Sequence, residues 1–363
     1  MPDRRRTFLS VALVLALFLA AHLLLPSSPV APVHTFEVLP VRPMLSDIQL
    51  RASCEDSIEI SQQKDENKFN ADIRIIEDVI EKPKDGDKPS VLLRYFDPEK
   101  YLSDSLNPLL NNDCVPLRIS LAELTTPICV YESKDDRYVS GSIRVSGTWE
   151  GPQMRSVERI LAEDPAMEML DIGCNIGCYT LMAAKLGHKV LAVDPLKQNL
   201  VLLSRSLRQG NIAENVTLLI NAVSDRIETV TLHENLGNVG GTFVKPVAES
   251  NVTDDDHMAS AILMDHLIPL IKNKTIIMKL DIESYEWHAL KGGYKFFQEV
   301  NVKYLFMEWM NYTVNPETGR HIITFLRHFD MAPFTVGKSR ESLDYANNAT
   351  WPGDVLWVKQ TFK

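Results

Sequence analysis

Three groups of residues in this chain have the types and spacing of a ligand site joined to a proton-handling site. The first is Asp171-Ile-Gly173-Cys-Asn175-Ile-Gly177, which follows an apolar run at 167–172 and precedes a helical run at 179–186. A strand that stops at two spaced glycines and enters a helix lets a ligand approach the backbone at the helix N-terminus. The dinucleotide pattern G-x-G-x-x-G from Gly173 needs glycines at 175 and 178. Asn175 and Cys178 stand there instead, which weakens a nicotinamide reading. Asp171, an anion just before the first glycine, repels a pyrophosphate but tolerates the cationic end of S-adenosyl-L-methionine. The second group is Asp194, 21 residues beyond Gly173 at the end of the next apolar run. A carboxylate there can accept from both hydroxyls of a ribose, although acids after strands are common on protein surfaces.

The third group is Lys279-Leu-Asp281-Ile-Glu283-Ser-Tyr-Glu286. A strand's period of two places Lys279, Asp281 and Glu283 on one face. Charges on a central strand are costly unless paired, and the C-terminal end of such a strand is where open α/β sheets bind ligands. Glu286 opens the following helix and is expected to reach the same crevice, as is Glu308 after the run at 302–307. A hydroxyl becomes a good nucleophile only as a base begins to remove its proton. Asp281 or Glu283 is expected to be that base or to orient the acceptor, with Glu286 and Lys279 setting its charge. A structural ion pair between Lys279 and Asp281 or Glu283 is the plain alternative. A divalent ion held by Asp281 and Glu308 is another route to the same activation. Cys174 and Cys178 have no second Cys/His pair nearby, and no metal site is assigned.

The elements that carry these groups alternate. Strands are expected at 167–172, 189–193, 216–220, 276–282 and 302–307, with helices at 179–186, 196–209, 285–297 and 316–329. That alternation implies a doubly wound, mostly parallel α/β sheet. Runs at 230–233 and 242–244 read as further strands. The runs at 334–336 and 355–359, joined without an obvious helix, suggest an antiparallel hairpin at one edge. The regular domain spans 151–363, a small cap covers 91–150, and a proline-started, charge-rich stem covers 26–90, with a possible short helix at 70–80. No internal repeat is visible.

Arg4 to Arg6 precede an uncharged run at 8–25, long enough as a helix to span roughly 27 Å of a hydrocarbon core of about 30 Å. The arginines favour a cytoplasmic tail at 1–7 and a lumenal remainder. The expectation is a single-pass type II anchor of the Golgi or endoplasmic reticulum, with a cleaved signal or a cytosol-facing anchor as the alternatives. Sequons lie at Asn215, Asn251, Asn273, Asn311 and Asn348. Asn251 and Asn348 sit in polar stretches suited to a glycan, whereas Asn215 and Asn273 directly precede expected strands. An oxidising lumen permits one disulfide among Cys54, Cys114 and Cys129, most simply Cys114–Cys129, although the sequence leaves the pairing open. The net charge of −10 argues against nucleic acid as a partner.

The stretch from about 168 to 310 resembles the FkbM family of methyltransferases. The matching elements, in order, are LDIGCNIGCYTL, VLAVDP, NAVSD at 221–225, NVGGT at 238–242, KLDIESYEWHAL at 279–290 and the strand ending in Glu308. Upstream, the segment from Asp136 to Ser142 and Trp149-Glu150 look like animal members with a secretory anchor. The resemblance implies the class I, Rossmann-like methyltransferase fold. It implies that Asp171, Gly173 and Gly177, with Asn175 in the same loop, line S-adenosyl-L-methionine, that Asp194 takes its ribose, and that Asn221 and Ala222 lie near the adenine. Cys174 stands where the family usually has alanine, and Ser284 where it usually has glycine. The activity so implied is O-methylation of a hydroxyl, in a lumenal compartment most plausibly that of a glycan. A small metabolite or lipid acceptor, or a binding protein that kept the fold without turnover, are the alternatives.

Overall fold

The computed structural model describes residues 93–102, 107–247 and 257–360. The tail, anchor and stem expected at 1–90, with Cys54, and the sequon at Asn251 lie outside the described residues. Among those described, no helix is long and apolar enough to cross a membrane.

The chain enters through helix α1 (Pro98–Leu102) and the hairpin β1 (Cys114–Ile119) and β2 (Leu124–Cys129), closed by a Cys114–Cys129 disulfide. Helices α2 (Val139–Ser146) and α3 (Gly151–Glu163) lead to β3 (Glu168–Ile172), α4 (Cys178–Lys185), β4 (Val190–Val193), α5 (Lys197–Gly210) and β5 (Val216–Leu219). Four strands of a separate sheet follow: β6 (Ala222–Ser224), β7 (Glu228–Asn235), β8 (Asn238–Pro246) and β9 (Met258–Leu263). The chain then returns through β10 (Thr275–Leu280), α6 (Glu286–Lys291), α7 (Tyr294–Glu299), β11 (Asn301–Glu308), α8 (Met310–Val314), α9 (Pro316–His328), β12 (Met331–Thr335) and β13 (Asp354–Lys359).

The main sheet runs β12-β13-β11-β10-β3-β4-β5, parallel throughout except for β13. Its order reverses between β3 and β10, the switch point at which an open α/β sheet leaves a crevice beyond its strand ends. The strands read as continuous apolar runs because helices cover both faces. Met169, Ala192 and Ile277 pack into the core under α2 to α5, while Leu170, Val193 and Met278 pack into the core under α6 to α9. Helix α5 shows how a helix binds that face: Leu200, Leu203 and Leu207, spaced three and four apart, are all buried.

Four expectations change. The hairpin expected from 334–336 and 355–359 does form at one edge, β12 against β13, but the reversed strand, β13, is its inner one, between β11 and β12. Leu356 and Trp357 are wholly buried in β13, whereas β12 carries Pro333, whose missing N–H suits an outer strand. The single helix expected at 285–297 is two, α6 and α7, because Gly292-Gly293 interrupts it. The 230–233 and 242–244 runs do form strands, but in the second sheet, ordered β6-β9-β7-β8. The cap expected at 91–150 packs onto the main domain. Leu117, Ile119 and Ile128 share the core of α4 and α5, and Ser206 on α5 donates support by accepting from the Cys129 N–H at 2.8 Å. Asn348, favoured for a glycan, is buried with its amide donating to the Pro316 carbonyl, whereas Asn273 is exposed.

Candidate active site

A cavity of about 460 Å³ opens at the switch point, walled by the ends of β3, β4, β10 and β11, by the 238–242 stretch of β8 and by the Tyr138 and Glu150 regions. One end lies at Gly173 and Asp194 and the other, acidic end at Asp281.

At the first end, Gly173 leaves β3 in the left-handed region, with φ at 81°. Asn175, also left-handed, donates its backbone N–H to Asp194 Oδ2 at 2.8 Å, and Gly177 caps the N-terminus of α4. Asp194 Oδ1 accepts from Leu196 N at 2.9 Å and from Asn199 Nδ2 at 3.1 Å. An ionised carboxylate has about four acceptor positions, so three protein donors leave one for a ligand. The expectation that Asp194 receives both ribose hydroxyls is therefore narrowed to one strong hydrogen bond. Asp171 Oδ2 accepts from Thr180 Oγ1 at 2.6 Å, while its Oδ1 is buried without a partner. Burial pushes both carboxyls up to about 6. Asn221 and Ala222 line the cavity, but the Asn221 side chain points elsewhere. It accepts from Arg94 N and donates to Ser260 O, tying the entering chain to β9.

A ligand hydroxyl donating to Asp194 needs the ionised form. Affinity for such a nucleoside is thus full above about pH 6 and falls as pH drops through 6, by at most about tenfold per unit for each group involved. Calorimetric titration with S-adenosylhomocysteine from pH 8 to pH 5 measures this directly. A flat affinity across that range would contradict the assignment of Asp194 as the ligand's acceptor.

At the acidic end, Lys279 is buried and its Nζ lies 2.6 Å from Asp281 Oδ2, 3.8 Å from Glu150 Oε2 and 5.1 Å above the centre of the Tyr179 ring. Burial alone would lower this ammonium, but Asp281 and Glu150 hold it well above its ordinary value. The period-of-two argument stops at Leu280, where β10 ends. Asp281 continues the pairing by one bond, its N–H donating to Ile172 O, and the chain then turns. Glu283 and Ser284 are both left-handed, with φ at 55° and 76°. Ser284 thus occupies a conformation that costs a side-chain-bearing residue about 1–2 kcal/mol. That is the physical reason a glycine suits this position.

Glu286 departs from expectation. It is fully buried and does not line the cavity. Its Oε1 accepts from Ile282 N at 2.9 Å and its Oε2 from the Tyr312 hydroxyl, so it braces the 281–284 turn from behind. Glu283 and Glu308 do line the cavity. Burial, and then Asp281 and Glu286, push Glu283 up to about 7; the same groups together with Glu283 push Glu308 up to about 9. Glu308 therefore keeps its proton at neutral pH. Asp281, Glu286 and Glu308 offer oxygens within 4.8 Å of one another. Both Glu286 oxygens are already engaged, by the Ile282 N–H and the Tyr312 hydroxyl, so the trio is an incomplete donor set and no metal is assigned.

Sequence reasoning noted the 136–142 segment and Trp149-Glu150 only as a resemblance and gave them no place in the site. Asp136 is wholly buried and accepts from the N–H groups of Tyr138, Val139 and Ser140, so it holds the start of α2 at the cavity mouth. Tyr138 and Met310 stand 56% and 62% exposed at that mouth, beside Trp149. An acid four residues before Ser140 was a capping signal available in the sequence. Cys174 and Cys178 are free and buried, and burial pushes both thiols up, which makes them poor nucleophiles. His288 lies outside the cavity lining, stacked on Tyr285.

Residues 171–331 match the family model described as Methyltransferase FkbM domain. Among solved structures, the chain is similar to an rRNA methylase from Streptococcus thermophilus, at 18% identity and TM-score 0.32, over 58% of this chain and 97% of that one. It is similar to magnesium protoporphyrin IX methyltransferase from Synechocystis PCC 6803 with bound SAM, at 12% identity and TM-score 0.32, over 63% and 88%. It is also similar to precorrin-6y C5,15-methyltransferase from Geobacter metallireducens GS-15, at 13% identity and TM-score 0.28, over 53% and 82%. No curated protein matches the chain.

Proposed function

Because the chain carries an FkbM methyltransferase domain and is an S-adenosylmethionine-dependent methyltransferase, we propose that it transfers the methyl group to a hydroxyl of a neutral sugar in a glycan. The observation that carries this reading is the chemistry of the acceptor end. Among the described residues lining the cavity, Lys279 is the one cation, and Asp281 already pairs it. Glu150, Asp281, Glu283 and Glu308 surround the remaining space. Asp281, as the carboxylate paired with Lys279, only accepts hydrogen bonds, whereas Glu308, pushed up by burial and its acidic neighbours, can also donate one. An acceptor that brings several hydroxyl donors and no negative charge suits that wall, and a carboxylated or phosphorylated acceptor does not. Tyr138, Trp149 and Met310 at the mouth offer an apolar platform for the C–H face of a pyranose.

The residues present fit the cofactor. Asp171 offers a buried, unpartnered oxygen toward a cation, Asp194 offers one acceptor position to a ribose hydroxyl, and Ala222 and Val223 provide an apolar wall. When bound, S-adenosylmethionine supplies a sulfonium methyl for in-line displacement. The chain's own part is alignment and proton removal. Asp281 accepts the proton of the acceptor hydroxyl as its oxygen attacks, and Glu308, still protonated, donates to a neighbouring acceptor oxygen. Glu286 acts behind them by fixing the turn.

The lumenal placement belongs to the same proposal: an anchor at 8–25 with the catalytic domain in the secretory lumen. Arg4 to Arg6 before the apolar run support it, as does the Cys114–Cys129 disulfide, which an oxidising compartment preserves.

The test is transfer of labelled methyl to a panel of methyl glycosides of glucose, galactose, mannose and fucose, run beside glucuronate and sugar phosphates. Label should enter the neutral sugars as a base-stable ether. Incorporation confined to the anionic members, or into amines, would refute the acceptor class.

A further inference from the structure

Glu150 has no role in the glycine loop or in the motif around Asp281, yet four observations converge on it. It sits immediately before α3 with φ at 46°, a left-handed conformation for a residue with a full side chain. Such a conformation persists only where its surroundings impose it. Its carboxylate is largely buried, at 17% exposure, and Oε2 accepts from the Tyr179 hydroxyl at 2.5 Å. The same oxygen lies 3.8 Å from Lys279 Nζ, the ammonium that also bonds Asp281 Oδ2. Finally, Asp281 Oδ1 accepts no hydrogen bond among the described residues, although Oδ2 is taken at 2.6 Å.

We propose that Glu150 is a positioning residue for methyl transfer: as second counter-ion of Lys279, it keeps that ammonium on one oxygen of Asp281 and leaves the other open to the acceptor hydroxyl. The inference rests on Asp281 receiving the acceptor's proton, as read above. The Lys279 side chain is 6% exposed, so water is no ready substitute for a carboxylate. With Asp281 as sole partner, the ammonium would be drawn across both of its oxygens, and the acceptor would compete with it. Glu150 also matters after the proton moves. The acceptor's O–H bond breaks, its oxygen bonds to the methyl carbon, the carbon–sulfur bond breaks, and the proton rests on Asp281. Lys279 then faces a neutral acid, and a buried cation that loses its partner is strongly destabilised. Glu150 keeps it paired throughout. Tyr179 holds Glu150 in place through its hydroxyl, and its ring lies against the Lys279 ammonium.

The test uses the full chain and the most active methyl glycoside of the panel. In Glu150→Gln the amide oxygen still accepts from Tyr179, so the fold is retained while the charge is lost. We expect kcat to fall about tenfold or more with cofactor KM within about twofold. Combined with Lys279→Met, Glu150→Gln should add nothing, because its effect passes through Lys279. Tyr179→Phe should give a smaller fall of the same kind. A Glu150→Gln kcat within about twofold of the parent, or a fully additive double variant, overturns the proposal. Nitrogen NMR of the Lys279 ammonium needs no acceptor: its signal should shift in Glu150→Gln, and an unchanged signal also overturns it. Failure of Asp281→Asn to slow turnover would instead remove the reading of Asp281 on which this rests.

Discussion

Asp281→Asn should reduce kcat by about 10²–10⁴-fold, the usual share of a general base, while the dissociation constant for S-adenosylhomocysteine changes by no more than about twofold. The asymmetry follows from the site's two ends. Asp281 lies beyond Leu280, beside Lys279, at the acidic end of the cavity, and its side chain makes none of the contacts that hold Asp194 and the glycine loop. Asparagine preserves the shape and still accepts from Lys279, so the ammonium keeps one hydrogen bond here and its proximity to Glu150. What it lacks is basicity. Single-turnover transfer from labelled cofactor separates the chemical step from binding. Near-parental turnover in this variant would remove Asp281 from the proton-transfer role and leave Glu283, pushed up to about 7, as the candidate.

Gly173→Ala should destabilise the protein by about 2–5 kcal/mol and abolish measurable cofactor binding. Two costs combine. Alanine in the left-handed region costs about 1–2 kcal/mol. In addition, a Cβ at Gly173 would lie 1.8 Å from the Asp281 carbonyl oxygen, which is backbone and cannot rotate away. The clash must be relieved by parting β3 from β10 at the switch point, and an overfilled core position of this kind costs about 1–3 kcal/mol more. Gly187→Ala is the matched control. Gly187 has φ at 94° with nothing within 4 Å of a Cβ, so it pays the conformational cost alone. Denaturant midpoints of the two variants, taken with the parent, isolate the steric part. Equal losses in both would show that the close approach of Gly173 to Asp281 is not rigid, and cofactor titration of Gly173→Ala would then test the crevice directly.

The close approach of these two residues, 108 positions apart, also marks the boundary of what a one-dimensional reading can reach. Residue order and local chemistry were enough to place the strand–glycine–helix unit at Asp171 to Gly177, the acid at Asp194 and the charged strand end at Lys279. Each depends on neighbours a few residues away, on apolar runs that must be buried, and on turn residues that end them. An ion pair of Lys279 with either Asp281 or Glu283 stood there only as the plain alternative, and the structure pairs Lys279 with Asp281. The position of β13 inside the sheet, the break at Gly292-Gly293 and the burial of Asn348 required tertiary packing, since each is set by contact with distant chain. So did the division of labour among the acids. Glu286 turns inward because Tyr312 and the Ile282 N–H are there to receive it. Glu150 enters the site because the turn before α3 carries it to Lys279. Desolvation and Coulomb interactions act through space, and their strength depends on separations that the order of residues does not contain.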